Sequence, residues 1–183
     1  MMRKILFLML MILPMAMFGS NLKEGDVVFQ ISKSKQSPLV QLATLSPWSH
    51  CGIIIEKKGG LYVLEASNVV KLTPWKQWKR RGRGGIVKIM RCKSKDKIKI
   101  NYKSYLGKSY DLAFKFDNNK YYCSELVYEI YKHQLNIELC TPRKVRDYNI
   151  RLLKKKMKQR NINLNQLVVA PSDIIDSKYL KTL

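Results

Sequence analysis

Acidic residues and histidines are scarce in this chain. Only 13 Asp and Glu stand against 35 Lys and Arg in 183 residues, a formal net charge of +22, and His50 and His133 are the only imidazoles. Two histidines with four cysteines that form no CxxC pair leave no zinc-ligand spacing, so no metal and no cofactor is expected. Cys51, Cys92, Cys123 and Cys140 are also too few for a disulfide scaffold at this length. If the nucleophile proposed below stays free and Cys51 turns to the core, Cys92 with Cys140 is the one pair left to bond. Repeats and low-complexity linkers are absent, which points to one domain.

Long apolar runs are confined to the start. Met1-Met2-Arg3-Lys4 is basic and residues 5–18 are almost wholly apolar. Fourteen residues fall short of the roughly 20 that span a bilayer, and they match the h-region of a secretory signal. Residues 1–20 therefore read as a signal peptide or, because Phe18, three positions before a cut after Ser20, is not small, as an uncleaved N-terminal anchor. Residues 21–183 are expected to form a soluble domain outside the cytoplasm, in the periplasm or cell envelope.

The excess of positive charge attracts phosphates, anionic lipid head groups and acidic polymers. Of the 35 basic residues 26 are Lys, which lacks the bidentate fork of Arg, and they are spread along the chain apart from Lys154-Lys155-Lys156-Met157-Lys158. That distribution argues against a specific nucleic-acid partner. It fits a solvated surface, with contact to an anionic membrane surface as the functional alternative. No obligate protein partner is evident.

Residues 27–31 read as a strand after the Gly25-Asp26 turn, and residues 38–45 as a short helix. Residues 50–56 and 61–67, joined by Lys57-Lys58-Gly59-Gly60, form the clearest hairpin. Residues 69–72 and 85–90 are further strands, and residues 74–81 and 98–106 further helices. Leu126, Val127, Ile130 and Tyr131 recur at helical spacing over residues 123–135, and Ala170-Pro171-Ser172-Asp173 opens a short last helix. Strands first and helices after predict an α+β domain with an antiparallel sheet.

Three residues carry candidate chemistry. Cys123 starts an amphipathic helix, where the dipole and free N–H groups favour a thiolate and can receive an oxyanion. Glu125 opposes that thiolate, and a small buried hydrophobe is the alternative fate of such a cysteine. His50, at a strand start, is the candidate base, with His133 a weaker rival. Glu65 shares a face with Leu61 and Val63, where a carboxylate needs a partner. A turn at Lys58-Gly59 pairs residue 52 with 65 and 50 with 67, so His50 and Glu65 become same-face diagonal neighbours, about 7–8 Å apart at Cα. They should lie against the start of the Cys123 helix. A loop with an odd number of residues leaves Glu65 an exposed edge residue instead.

These residues also carry a resemblance. Gly25-Asp26-Val27-Val28-Phe29, Trp48-Ser49-His50-Cys51-Gly52-Ile53, Val63-Leu64-Glu65-Ala66, Gly107-Lys108-Ser109-Tyr110-Asp111 and Tyr122-Cys123-Ser124-Glu125-Leu126-Val127, in that order, resemble the circularly permuted branch of the NlpC/P60 superfamily of papain-like enzymes, the YiiX-like hydrolases. The resemblance implies a circularly permuted papain-like α+β fold, with Cys123 as nucleophile, His50 as base and Glu65 as orienting acid. It further implies Tyr110 and Ser124 as substrate-binding residues. The implied activity is an exported cysteine amidase or peptidase acting on cell-wall peptide or N-acyl amide bonds. A lipid-directed thiol hydrolase or acyltransferase, and a non-catalytic envelope-binding module, are the alternatives. An apolar groove would favour the lipid-directed one. The basic tail from residue 143 onward matches no part of the pattern.

Overall fold

The alternating apolar residues become strands and the helical repeats become helices, in chain order β1 (Val27–Ser32), α1 (Ser37–Thr44), β2 (His50–Lys57), β3 (Gly60–Ala66), β4 (Val70–Pro74), α2 (Trp75–Arg81) and β5 (Gly82–Cys92). The second half holds α3 (Cys123–Leu135), β6 (Arg143–Lys144), α4 (Lys154–Gln159), β7 (Leu167–Val168), α5 (Pro171–Ile175) and β8 (Leu180–Thr182). This is a computed structural model that describes residues 22–95 and 97–183. The expected signal or anchor at residues 1–20 lies outside the described residues. No helix of the described residues is long and apolar enough to cross a membrane.

One six-stranded sheet in the order β4-β3-β2-β1-β5-β8, antiparallel throughout, organises the molecule. β1 is central because Val27, Val28 and Phe29 are apolar on both faces and fully buried. On one face Phe29, Cys51, Ile53 and Leu64 pack against Leu126, Val127 and Ile130 of α3. On the other Val28, Ile54 and Val63 pack against Trp78 of α2. The Gly25-Asp26 turn is fixed from several sides. Gly25 has φ 92°, and a Cβ there would meet Ile98 at 2.6 Å, so only glycine fits. Asp26 takes two hydrogen bonds of 2.7 Å from the Arg91 guanidinium, and Tyr131 donates its hydroxyl to the Gly25 carbonyl at 2.5 Å.

Two expectations need correction. Residues 98–106 are not a helix but an irregular segment with a single 3-10 turn at Lys103–Tyr105. Its backbone is claimed elsewhere: the Ile100 N–H donates to the buried Glu24 carboxylate at 2.8 Å, and Lys99 pairs with the same group at 2.9 Å. Nor do Cys92 and Cys140 bond; all four cysteines are free. The Cys92 sulfur lies 3.5 Å from the Ser94 hydroxyl, while Cys140 is held beyond α3, near Asp173 and Glu138.

The tail is part of the same domain. β6 and β7 form a two-stranded ladder whose ends enclose the α4 excursion. Beyond it the chain is tied to the start of α3: Ser124 donates to the Val169 carbonyl at 2.7 Å, and the Val169 N–H donates to the Tyr122 hydroxyl at 3.1 Å.

Candidate active site

Cys123 is the first residue of α3, and its side chain is nearly buried where the helix meets β2. The first amides of a helix have no intrahelical acceptor, so they point at whatever charge forms on this sulfur or beside it. Two neighbours from one strand reach it, Cys51 and His50. Cys51 does turn to the core side, as alternation with His50 requires, but that core contains Cys123.

The hairpin has the expected register. Lys57 pairs with Gly60 and Ile53 with Leu64, which sets Gly52 opposite Glu65 and puts His50 on the Glu65 face. His50 Nε2 and Glu65 Oε2 are 2.6 Å apart, leaving Nδ1 as the nitrogen that can serve the thiol. The face itself is not the expected one. Glu65 points to the α2 side of the sheet, whereas α3 covers the other side. His50 joins the two because it is the first residue of β2, where its ring passes the end of the sheet and also reaches Cys123.

Burial of Glu65 is complete, and four donors make it tolerable. Besides His50, Thr73 donates its hydroxyl at 2.5 Å, Trp78 its indole N–H at 3.1 Å, and Arg81 forms an ion pair. Trp78 also stacks on the His50 ring, with centroids 6.0 Å apart and planes at 30°. Sequence reasoning missed Cys51, Thr73, Trp78 and Arg81 as site residues. Trp75, Trp78 and Arg81 are spaced i, i+3, i+6 on the expected helix, which shows a common face but not what it covers.

The electrostatics favour an ion pair between thiolate and imidazolium. A hydrogen bond from Cys51 outweighs burial and, with His50, holds the Cys123 thiol well below the ordinary cysteine range. Burial pushes Cys51 the other way, so it remains a thiol and a donor. Burial also opposes charge on His50, but its bonds to Cys123 and Glu65 win and raise it to about 9. For Glu65 burial is likewise outweighed, by His50, Thr73 and Arg81, which lower it to about 2. Glu125 does not oppose the thiolate as expected. Burial lifts it to about 9, so at neutral pH it is an uncharged carboxyl that accepts the Tyr122 N–H at 3.2 Å.

Two cavities flank this pair. One, of about 120 Å³, has Cys123 in its wall together with Leu39, Val40, Phe114, Met157 and Val168 and is almost wholly apolar. The other, of about 480 Å³, has a mixed lining and is bordered by His50, Gln30, Lys33, Lys71 and Arg81. Tyr110 lines both, and burial keeps its phenol un-ionised. Ser124 lies in the apolar wall, but its hydroxyl is committed to Val169, so it anchors the tail rather than offering a donor. His133 is remote from the pair, exposed and bonded to Glu129 at 2.8 Å. The basic tail, in which the sequence pattern showed no match, supplies much of the apolar wall through Val145, Leu153, Met157 and Val168.

Comparison with known proteins bears on the family and the fold. The family described as permuted papain-like amidase enzyme, YaeF/YiiX, C92 family, matches residues 21–183, the basic tail included. The uncharacterized protein YiiX of Escherichia coli (strain K12) is 32% identical over 193 residues, covering 100% of this chain and 96% of that protein. The crystal structure of metalloprotein YiiX from Escherichia coli O157:H7 superposes with a TM-score of 0.81 at 34% identity, over 88% of this chain and 96% of that one. Among the described residues here, no three His, Cys, Asp or Glu side chains converge as a metal ion requires.

Proposed function

The chain belongs to the permuted papain-like amidases of the C92 family, and from that premise we propose that it hydrolyses N-acyl amides through an acyl-enzyme on Cys123. The observation that carries the substrate class is the apolar cavity opening beside the nucleophile. An acyl chain laid in that cavity brings its carbonyl to the sulfur, while the mixed cavity beyond His50, bordered by Lys33 and Lys71, receives an acidic amine portion.

The thiolate of Cys123 attacks the carbonyl carbon, and the oxyanion forms at the first amides of α3. His50, held protonated, gives its proton to the departing nitrogen as the C–N bond breaks, leaving a thioester on Cys123. Neutral His50 then takes a proton from water, whose oxygen attacks the thioester. The carboxylic acid leaves and the thiolate–imidazolium pair is restored. Glu65 keeps the ring in place and compensates its charge. The basic start and apolar run of residues 1–20 support export to the envelope as the setting.

Cell-wall peptide is the second reading, favoured by Lys33 and Lys71 on the border of the mixed cavity. Mass spectrometry separates them. The protein and C123A are incubated with N-acyl amino acids of graded chain length, with peptidoglycan peptides and with phospholipids. Expected is amide cleavage that strengthens with chain length and is absent in C123A. Cleavage of peptides alone, without chain-length dependence, moves the assignment to the cell wall, and turnover that survives in C123A refutes the thiol mechanism.

A further inference from the structure

The basic charge of this chain is most concentrated beside the apolar cavity. No acidic residue lies between Asp147 and Asp173, whereas Arg151, Lys154, Lys155, Lys156, Lys158 and Arg160 fall within ten residues. Among the described residues none of the six ion-pairs with a carboxylate. α4, which carries four of them, has no buried residue, and its Lys156 and Met157 border the cavity.

Two leucines complete this face. Leu152 is 77% exposed and Leu45 76%, more than any other large apolar side chain among the described residues. Contacts between their segments bring them to one place. The Asn149 N–H donates to the Ala43 carbonyl at 2.8 Å and its side chain to the Leu42 carbonyl at 3.2 Å. Thr44, just before Leu45, and Leu153, just after Leu152, both line the cavity. Leu45 caps α1 at φ 51°, a left-handed position where Gly or Asn is at home and a leucine is strained. An exposed, strained leucine beside unpaired lysines has no account in the folding of the domain.

Apolar side chains that enter the acyl boundary, ringed by lysines at head-group level, are what binding to an anionic bilayer requires. We propose that the end of α1 and residues 149–160 dock this protein on an anionic membrane surface, with Leu45 and Leu152 inserted. The cavity then faces lipid, and an acyl chain passes from the bilayer to Cys123 without crossing water. The use made of docking rests on the acyl-amide reading; the docking itself does not.

The test uses the full chain carrying C123A, so that binding is read without turnover. In co-sedimentation, vesicles of phosphatidylcholine with about 30 mol% phosphatidylglycerol should bind at least about tenfold better than phosphatidylcholine alone. That preference should vanish in K154E/K155E/K158E and fade in about 0.5 M salt. Residues 1–20 are common to every variant, so position is read separately. Added tryptophan fluorescence in L152W should be quenched by brominated lipid, whereas I86W, on β5 outside the cavity wall, should not. An undiminished preference in the triple variant, or equal quenching at both positions, overturns the proposal. So does a triple variant that keeps its vesicle affinity and loses affinity for duplex RNA. In the active chain, K154E/K155E/K158E should cleave a soluble short-chain amide at the wild-type rate. Docking that persists while no acyl amide is cleaved refutes the catalytic reading alone.

Discussion

At the scale of single residues, the site depends on the sulfur of Cys123 meeting two donors, Cys51 and His50. Iodoacetamide should therefore label Cys123 before the other cysteines and stay fast well below neutral pH. C51A removes the larger stabilising bond, so the rise of alkylation rate with pH should move upward; an unchanged profile would show that Cys51 does not tune the nucleophile. Turnover should fall as pH rises through about 9, where His50 loses its proton. The stability linkage follows from the same shifts. His50 is raised in the fold, so its stabilisation is complete below the free value near 6.5 and is lost as pH climbs through about 9. Glu65 is depressed, so its stabilisation is present above the free value of about 4.3 and is lost as pH falls towards about 2. Denaturant titrations across pH read both limbs. C123A should abolish covalent turnover, whereas E65Q keeps the shape of the side chain and should leave partial activity.

At the scale of elements, the β2–β3 hairpin and α2 hold the carboxylate where the ring can use it. Gly52 is the tightest point of that hairpin, because a Cβ there would meet Val63 at 2.5 Å and the Leu64 carbonyl at 2.6 Å. G52A should force the strands apart, costing about 1–3 kcal/mol as overpacking does and carrying Glu65 away from His50. Thermal unfolding with a turnover assay tests this; wild-type activity would mean that the hairpin tolerates the shift. T73V keeps the volume but withdraws one donor from a buried charge. It should cost about 1–3 kcal/mol and, on the proposed mechanism, lower kcat more than it changes KM, since it acts on the carboxylate that holds His50 rather than on substrate.

On the scale of the whole molecule, one sheet separates two jobs. The α3 face carries Cys123 and the main core, and the α2 face carries the Glu65 carboxylate and its donors. Because Leu126 is fully buried between α3 and the sheet, L126A should destabilise the domain by about 2–5 kcal/mol while leaving the chemistry of the surviving folded fraction intact. A chemical denaturation midpoint with active-site titration separates those two quantities.

Local pattern determined a large share of this protein. Strand alternation and an even turn set the register of residues 50–67, because opposed residues must share a face, and that brought His50 to Glu65. The helical repeat after Tyr122 set Cys123 at a helix start, with the bounds Cys123–Leu135. Tertiary structure decided what pattern does not encode, namely which helix covers which face. Only the packed sheet puts Cys51 beside Cys123 and Thr73, Trp78 and Arg81 around Glu65. Only burial renders Glu125 neutral, since desolvation depends on neighbours far apart in the chain. The basic tail showed composition without period, and its role as a cavity wall came from the contacts that fold it back on the start of α3.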